Sequence, residues 1–109
     1  MDEILSKADE LGTLIKETKA CNSFKKLGNE VEKDREASVL LKKYNEIAET
    51  IHQKQSAGFI LEKYEQERFR ELSESVLSNE LLMKYLKARE NYIELLSEIQ
   101  KALINTEDK

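Results

Sequence analysis

The sequence is short of the residues that break helices. Its 109 residues include no proline, three glycines and a single cysteine, which excludes a disulfide within the chain. With so few points at which the backbone must turn, long helices are favoured. No run reaches the roughly 20 apolar residues of a membrane span, and the N-terminus lacks the pattern of a signal peptide. We therefore expect one all-α domain over residues 1–109, located in the cytoplasm.

The charged residues are mixed in sign rather than clustered. The 18 basic and 22 acidic residues give a net charge of −4, and the densest basic clusters are pairs, such as Lys25-Lys26. A nucleic-acid interface needs a clustered basic face, and an anionic membrane attracts a basic amphipathic helix. Neither pattern is present, so the charges indicate a solvated helix surface. We expect no direct contact with nucleic acid or membrane.

The most regular pattern lies at the C-terminal end, from Asn79 to about Ile104. Its seam alternates steps of three and four, the heptad spacing of a helix packed along another helix: Leu82, Tyr85, Arg89, Tyr92, Leu96, Ile99 and Leu103. Further apolar residues widen the arc to about half of the helix circumference: Leu81, Leu86, Ile93, Leu95 and Ile104. One neighbouring helix does not cover such an arc, so the width predicts a helical-bundle homodimer.

Two shorter helices are predicted at the N-terminal end. The first runs from about Asp2 to Ala20, with Ile4, Leu11 and Ile15 on its apolar seam. A break is expected at Cys21–Ser23, because Asn and Ser favour caps and turns. A short helix then carries the apolar residues Phe24, Leu27 and Val31.

A second long helix and a weaker one fill the middle of the chain. The long helix begins after an N-cap at Asp34, runs to about Ala57 and ends at Gly58, which can adopt the left-handed conformation of a C-cap. We expect it to lie antiparallel to the last helix. After a connection over Gly58–Leu61, the weaker helix runs from about Glu62 to Leu77. The sequence thus predicts about five helices, two of them long.

No constellation of catalytic or metal-binding residues is found. Glu49 and His52 have the Glu-x-x-His spacing of di-iron bundles, but the helical wheel places Glu49 about 140° from the centre of the apolar face. Cys21 has no second cysteine, and nothing brings it together with His52. Phosphate-binding loops and hydrolase motifs are also missing. We therefore expect no enzyme activity, no metal and no cofactor.

Polar residues within the apolar arcs are the best candidates for interface positions. Arg89 and Gln100 lie inside the arc of the last helix, and Gln55 lies on that of the third. One interpretation is that Arg89 lays its stem on the core and pairs with a Glu at the rim. Another is that these groups fix the register of a helix–helix interface, and a third is a partner groove that includes Gln55 and Gly58. The candidate interface residues are Tyr44, Ile47, Ile51, Gln55, Gly58, Tyr85, Arg89, Tyr92, Leu96 and Ile99.

Several segments, in order, resemble the YlbF/YmcA/YheA family, also known for control of the competence regulator ComK. The likeness covers nearly the whole chain and is nearest to the YheA branch. It rests on the following stretches: Ile15–Thr18, Phe24–Leu27, Glu30-Val31, Asp34, Leu41, the Gln-rich and Gly-terminated Gln53–Gly58, Tyr85–Glu90 and Leu95–Ile99.

The resemblance implies an all-helical homodimer with a non-enzymatic role. Some members of the family are regulators that act with a partner protein on ribonuclease Y and affect mRNA processing, competence, sporulation and biofilm formation. Members of that complex carry cysteines for an iron–sulfur cluster, including one near the C-terminus, whereas this chain has none after Cys21. We thus expect a regulatory adaptor with an unknown protein partner. The alternatives are a metal- or redox-linked regulator that uses Cys21 across a dimer, or direct RNA binding, which the acidic balance disfavours.

Overall fold

A computed structural model describes residues 2–104 of the chain. These residues form five helices and no strand: α1 (Asp2–Lys16), α2 (Lys19–Lys33), α3 (Arg35–Ser56), α4 (Lys63–Leu77) and α5 (Glu80–Ile104). The expected all-α fold of about five helices is confirmed. None of the described helices combines the length and apolar content that crossing a bilayer requires.

The break between α1 and α2 lies earlier than the sequence predicts. The Thr18 hydroxyl donates a hydrogen bond to the Ile15 carbonyl at 2.6 Å and accepts one from the Cys21 backbone N–H at 3.2 Å. Thr18 therefore acts as the N-cap of α2, whose third residue is Cys21. The predicted break at Cys21–Ser23 is wrong, because those residues lie inside α2.

Both ends of α3 are as predicted. The Asp34 carboxylate accepts a hydrogen bond from the Ala37 backbone N–H at 3.0 Å, as an N-cap does. At the other end, Gly58 has a φ of 83°. The Phe59 N–H bonds to the Lys54 carbonyl at 2.8 Å, which together with a Gly58–Gln55 bond gives the Schellman motif.

The last two helices also begin with side-chain caps. Glu62 precedes α4, and its backbone N–H donates to the Glu65 carboxylate at 3.0 Å. Asn79 precedes α5, and its side-chain oxygen accepts from the Leu82 backbone N–H at 2.9 Å. The bounds predicted for these helices agree with the structure to within a residue.

The chain divides into two compact units. In the unit that spans Asn29–Lys84, α3 packs antiparallel against α4. The Tyr44 and Phe69 rings stack there at 5.7 Å between centroids. The buried apolar residues of this unit are Val31, Ala37, Val76 and Leu82. The antiparallel pairing of the third and last helices, the single domain and the homodimer stay predictions.

The other unit combines α1 and most of α2 with α5 from Tyr85 onward. Ile4 near the start of α1 lines one groove with Leu103 near the end of α5. The Phe24 ring of α2 stacks on Tyr85 at 5.5 Å and on Tyr92 at 5.4 Å. The α1–α2 segment therefore runs antiparallel to α5.

Candidate interaction surfaces

The structure divides the predicted seam of α5 into a covered and an open part. Leu82 is fully buried, and Tyr85, Tyr92 and Ile99 are half-buried. Leu96 is 37% exposed and Leu103 65% exposed. The covered residues of α5 thus lie on one side of the apolar arc, and the apolar residues on the other side face solvent.

The open part continues as a regular line along α5. Its six residues alternate steps of three and four, so they share one face of the helix; we call them the open stripe: Leu86, Arg89, Ile93, Leu96, Gln100 and Leu103. Leu86 is half-buried, and the other five are exposed, with Ile93 at 51%. Arg89 forms no ion pair among the described residues.

An apolar groove adjoins the C-terminal end of this stripe. Its volume is about 480 Å³, and the α1 residues Ile4, Ala8 and Leu11 line it together with Leu103. No residue of α1 is buried. The apolar face of α1 therefore also remains largely open to solvent.

Two of the candidate residues on α5 are used in packing within the chain. Tyr85 and Tyr92 lie two turns apart, and the Phe24 ring contacts both. Gly28 lies close to the same cluster, since a Cβ on it would lie 3.6 Å from the Tyr85 ring. The sequence places Phe24 on an apolar face, but periodicity alone does not reveal a three-ring stack.

The candidates on α3 fall into two groups. Tyr44, Ile47 and Ile51 are half-buried, and Tyr44 stacks on Phe69 of α4. Gln55 and Gly58 are exposed at the end of the helix. Their proposed role in binding a partner stays a prediction.

The turn between α3 and α4 carries an apolar cluster that the sequence analysis overlooks. Phe59 and Tyr64 are largely exposed and Ile60 is 89% exposed; we call these three residues the hairpin tip. Turn positions usually hold polar or small residues. Three large apolar side chains around a glycine turn were the available signal for this surface.

An ion pair holds the base of the hairpin tip. The Lys54 ammonium lies 2.7 Å from the Glu65 carboxylate, which is 3% exposed. The hydrogen bond from Lys54, followed by that from the Glu62 backbone N–H, lowers the pKa of Glu65 below its ordinary value. The same hydrogen bond raises the pKa of Lys54 above its ordinary value. Both groups are therefore charged over the neutral pH range.

A second, polar groove lies between the start of α3 and the end of α4. Its volume is about 560 Å³, and Glu36, Glu71 and Glu74 line it together with Leu40. Glu74 is paired with Arg70 at 3.1 Å. The exposed carboxylates give this groove an acidic wall, without a buried polar group that would define a binding site.

The residues considered for metal or redox chemistry are not gathered. Cys21 is 5% exposed, whereas Glu49 and His52 lie on the exposed surface of α3. No group of three His, Cys, Asp or Glu side chains within residues 2–104 is arranged to hold a metal ion. A ligand role for Cys21 across a dimer would require its buried thiol to become accessible.

The family model described as "Control of competence regulator ComK, YlbF/YmcA" matches residues 4–106. The chain belongs to this family. A UPF0342 protein of Lactobacillus helveticus is 32% identical over 97 residues, which cover 86% of this chain and 84% of that protein. A UPF0342 protein of Alkalihalophilus pseudofirmus is 25% identical over 103 residues, which cover 94% of this chain and 87% of that protein. The expected family is confirmed, and the nearness to the YheA branch stays a prediction.

Solved structures have the same fold. A protein of unknown function (DUF964) from Bacillus stearothermophilus has a TM-score of 0.83 at 18% identity, covering 95% of this chain and 91% of that one. Bacillus subtilis RicA, solved in complex with RicF, has a TM-score of 0.72 at 16% identity. It covers 97% of this chain and 95% of that one. At these identities the likeness concerns the fold.

Proposed function

We propose that this protein is a cytoplasmic, non-enzymatic regulatory adaptor that acts as a homodimer through protein–protein contacts. One observation carries the proposal. Within one compact unit, the apolar face of α1 and one side of α5 are open to solvent, with Ile4 69%, Ile93 51% and Leu103 65% exposed. Apolar faces that are left open in this way mark contacts with other proteins.

Family membership supports a regulatory role. The family's description names control of the competence regulator ComK, and the structural neighbour RicA was solved in complex with RicF. We propose that this chain assists ribonuclease Y-dependent mRNA processing, and through it competence, sporulation and biofilm formation. The partner would be a protein, with no direct contact to nucleic acid or membrane.

The open apolar surface also favours an adaptor over the redox alternative. Exposed apolar residues are abundant on α1, α5 and the hairpin tip, whereas the thiol of Cys21 is buried. Exposed apolar surfaces are the ones that contacts between proteins use. A redox or metal role would need an accessible thiol.

Sedimentation equilibrium at 1–50 µM tests the homodimer, with an expected mass of about 25 kDa, twice the 12.7 kDa of the chain. A monomer over the whole range would contradict the proposal.

Affinity purification from the source organism, followed by mass spectrometry, tests the adaptor role. We expect ribonuclease Y or its associated proteins at stoichiometric levels. Their absence, with the dimer intact, would contradict the link to ribonuclease Y.

A further inference from the structure

We infer that two copies of this chain pair antiparallel through the open stripe of α5, about a two-fold axis between Glu94 and Leu95. The inference rests on the proposed homodimer and names the surface that forms it. In a two-fold interface, residue i of one copy contacts residue j of the other, and j contacts i. The stripe meets this condition in both spacing and chemistry.

The residues of the stripe are arranged symmetrically about this axis, both in position and in chemical character. Leu86 and Leu103 are equally far from the axis, and both are leucines. Arg89 pairs in the same way with Gln100, and Ile93 with Leu96. Antiparallel helices with heptad spacing place each a position against a d position of the partner, and these three pairs follow that rule. Apolar residues then meet apolar residues, and the two polar residues meet each other.

Parallel pairing in register would have the opposite effect. It would bring the two Arg89 side chains together, and like charges in contact repel. In the antiparallel arrangement, the Arg89 guanidinium faces the amide oxygen of the partner's Gln100, which can accept its hydrogen bonds. This arrangement also gives a partner to Arg89, which has no ion pair among the described residues.

The surface is long and continues from α5 onto α1. The stripe extends over about 26 Å of helix, and the apolar groove formed by Ile4, Ala8, Leu11 and Leu103 continues it onto α1. Both lie in one compact unit, so their continuity is a property of that unit.

Charge substitutions near the axis test the surface. Ile93→Glu and Leu96→Glu would each place carboxylates in the centre of the contact, so we expect the dimer dissociation constant to rise more than about 100-fold. Ile60→Glu at the hairpin tip is the matched control, because Ile60 is also exposed, and it should leave the constant unchanged. Helix content measured by circular dichroism shows that each variant is folded.

Cysteine pairs test the direction. In a Cys21→Ala background, Leu86→Cys alone or Leu103→Cys alone would place the two thiols about 25 Å apart in the dimer, too far for a disulfide. A mixture of the two variants, after subunit exchange, should give a cross-linked dimer. Cross-linking of each variant alone would show parallel pairing and overturn the inference.

The two proposals fail in different ways. A wild-type chain that stays monomeric contradicts the homodimer itself. A wild-type dimer that tolerates Ile93→Glu and Leu96→Glu, or that gives no disulfide in the mixture, leaves the homodimer standing and overturns the stripe as its surface.

Discussion

The Lys54 ammonium lies 2.7 Å from the Glu65 carboxylate and connects the last turn of α3 to the first turn of α4. The other oxygen of the same carboxylate accepts the Glu62 backbone N–H at 3.0 Å. One side chain therefore closes the hairpin and starts α4. The same ion pair connects the two helices at the base of the exposed hairpin tip.

Unfolding in urea should depend on pH through this pair. The pKa of Glu65 is lower when folded, so its contribution to the free energy of unfolding is present above the ordinary value of 4.5 and is lost as pH falls through the lowered pKa. The pKa of Lys54 is raised above 10.5, so its contribution is lost as pH rises through that raised value. Between these limits the contribution should be constant.

The variant Glu65→Gln provides the control for this prediction. It should be less stable than the wild type at pH 7, and the difference should shrink as the pH falls below about 4.5. Both proteins are compared at one protein concentration, because a dimer couples stability to concentration. A difference that is the same at pH 3 and pH 7 would contradict a stabilising role of the ionised carboxylate.

Loss of either helix cap should destabilise the protein by about 1 kcal/mol. Asp34→Ala removes the acceptor of the Ala37 N–H, and Asn79→Ala removes that of the Leu82 N–H. Asp34→Asn keeps an acceptor oxygen and should cost much less. Urea unfolding followed by circular dichroism at 222 nm measures each change. Equal losses for Asp34→Ala and Asp34→Asn would indicate that charge, rather than capping, matters at this position.

The features that the sequence predicts well are local ones. The cap at Asp34 and the left-handed Gly58 depend on a few neighbouring residues, and they lie where expected. The first break was misplaced because Thr18 lies on the apolar seam, where its hydroxyl is not recognised as a cap. Asn22, four residues after Thr18, has the same preference for caps but lies inside α2.

The coverage of α5 illustrates what the sequence does not contain. A helical wheel gives the width of an apolar arc, but the neighbours decide which side of it is covered. Tyr92 and Leu96 are equivalent by spacing, yet Tyr92 stacks on Phe24 while Leu96 faces solvent. The hairpin tip is a related case, because periodicity describes the faces of helices and does not indicate whether turn residues such as Phe59 and Ile60 are exposed.

Two glycine substitutions should have opposite effects. Gly58 has a φ of 83° and no atom within 4 Å of an added Cβ, so Gly58→Ala should destabilise through backbone strain alone, by about 1 kcal/mol. Gly12 lies inside α1 with equally open space, so Gly12→Ala should stabilise by up to about 1 kcal/mol. Urea unfolding of the two variants measures the signs. A stabilising Gly58→Ala would contradict the left-handed turn.

Removal of the Phe24 ring should loosen α2 from α5. The ring contacts both Tyr85 and Tyr92, and it is half-buried, so Phe24→Ala should cost about 2 kcal/mol. Phe24→Leu keeps most of the apolar volume and should cost about half as much. Near-ultraviolet circular dichroism should lose tyrosine signal in both variants. An unchanged spectrum and stability in Phe24→Ala would contradict the three-ring stack.

The thiol of Cys21 should be protected in the native protein. Because it is 5% exposed, its reaction with a thiol reagent requires local opening, and we expect labelling at least about 100-fold slower than in urea. Gln55→Cys in a Cys21→Ala background places one thiol on the exposed end of α3 and should label rapidly. Metal analysis of anaerobically purified protein completes the test. Rapid labelling of native Cys21 together with stoichiometric iron or zinc would favour the redox regulator over the adaptor. Labelling and metal binding both require an accessible thiol.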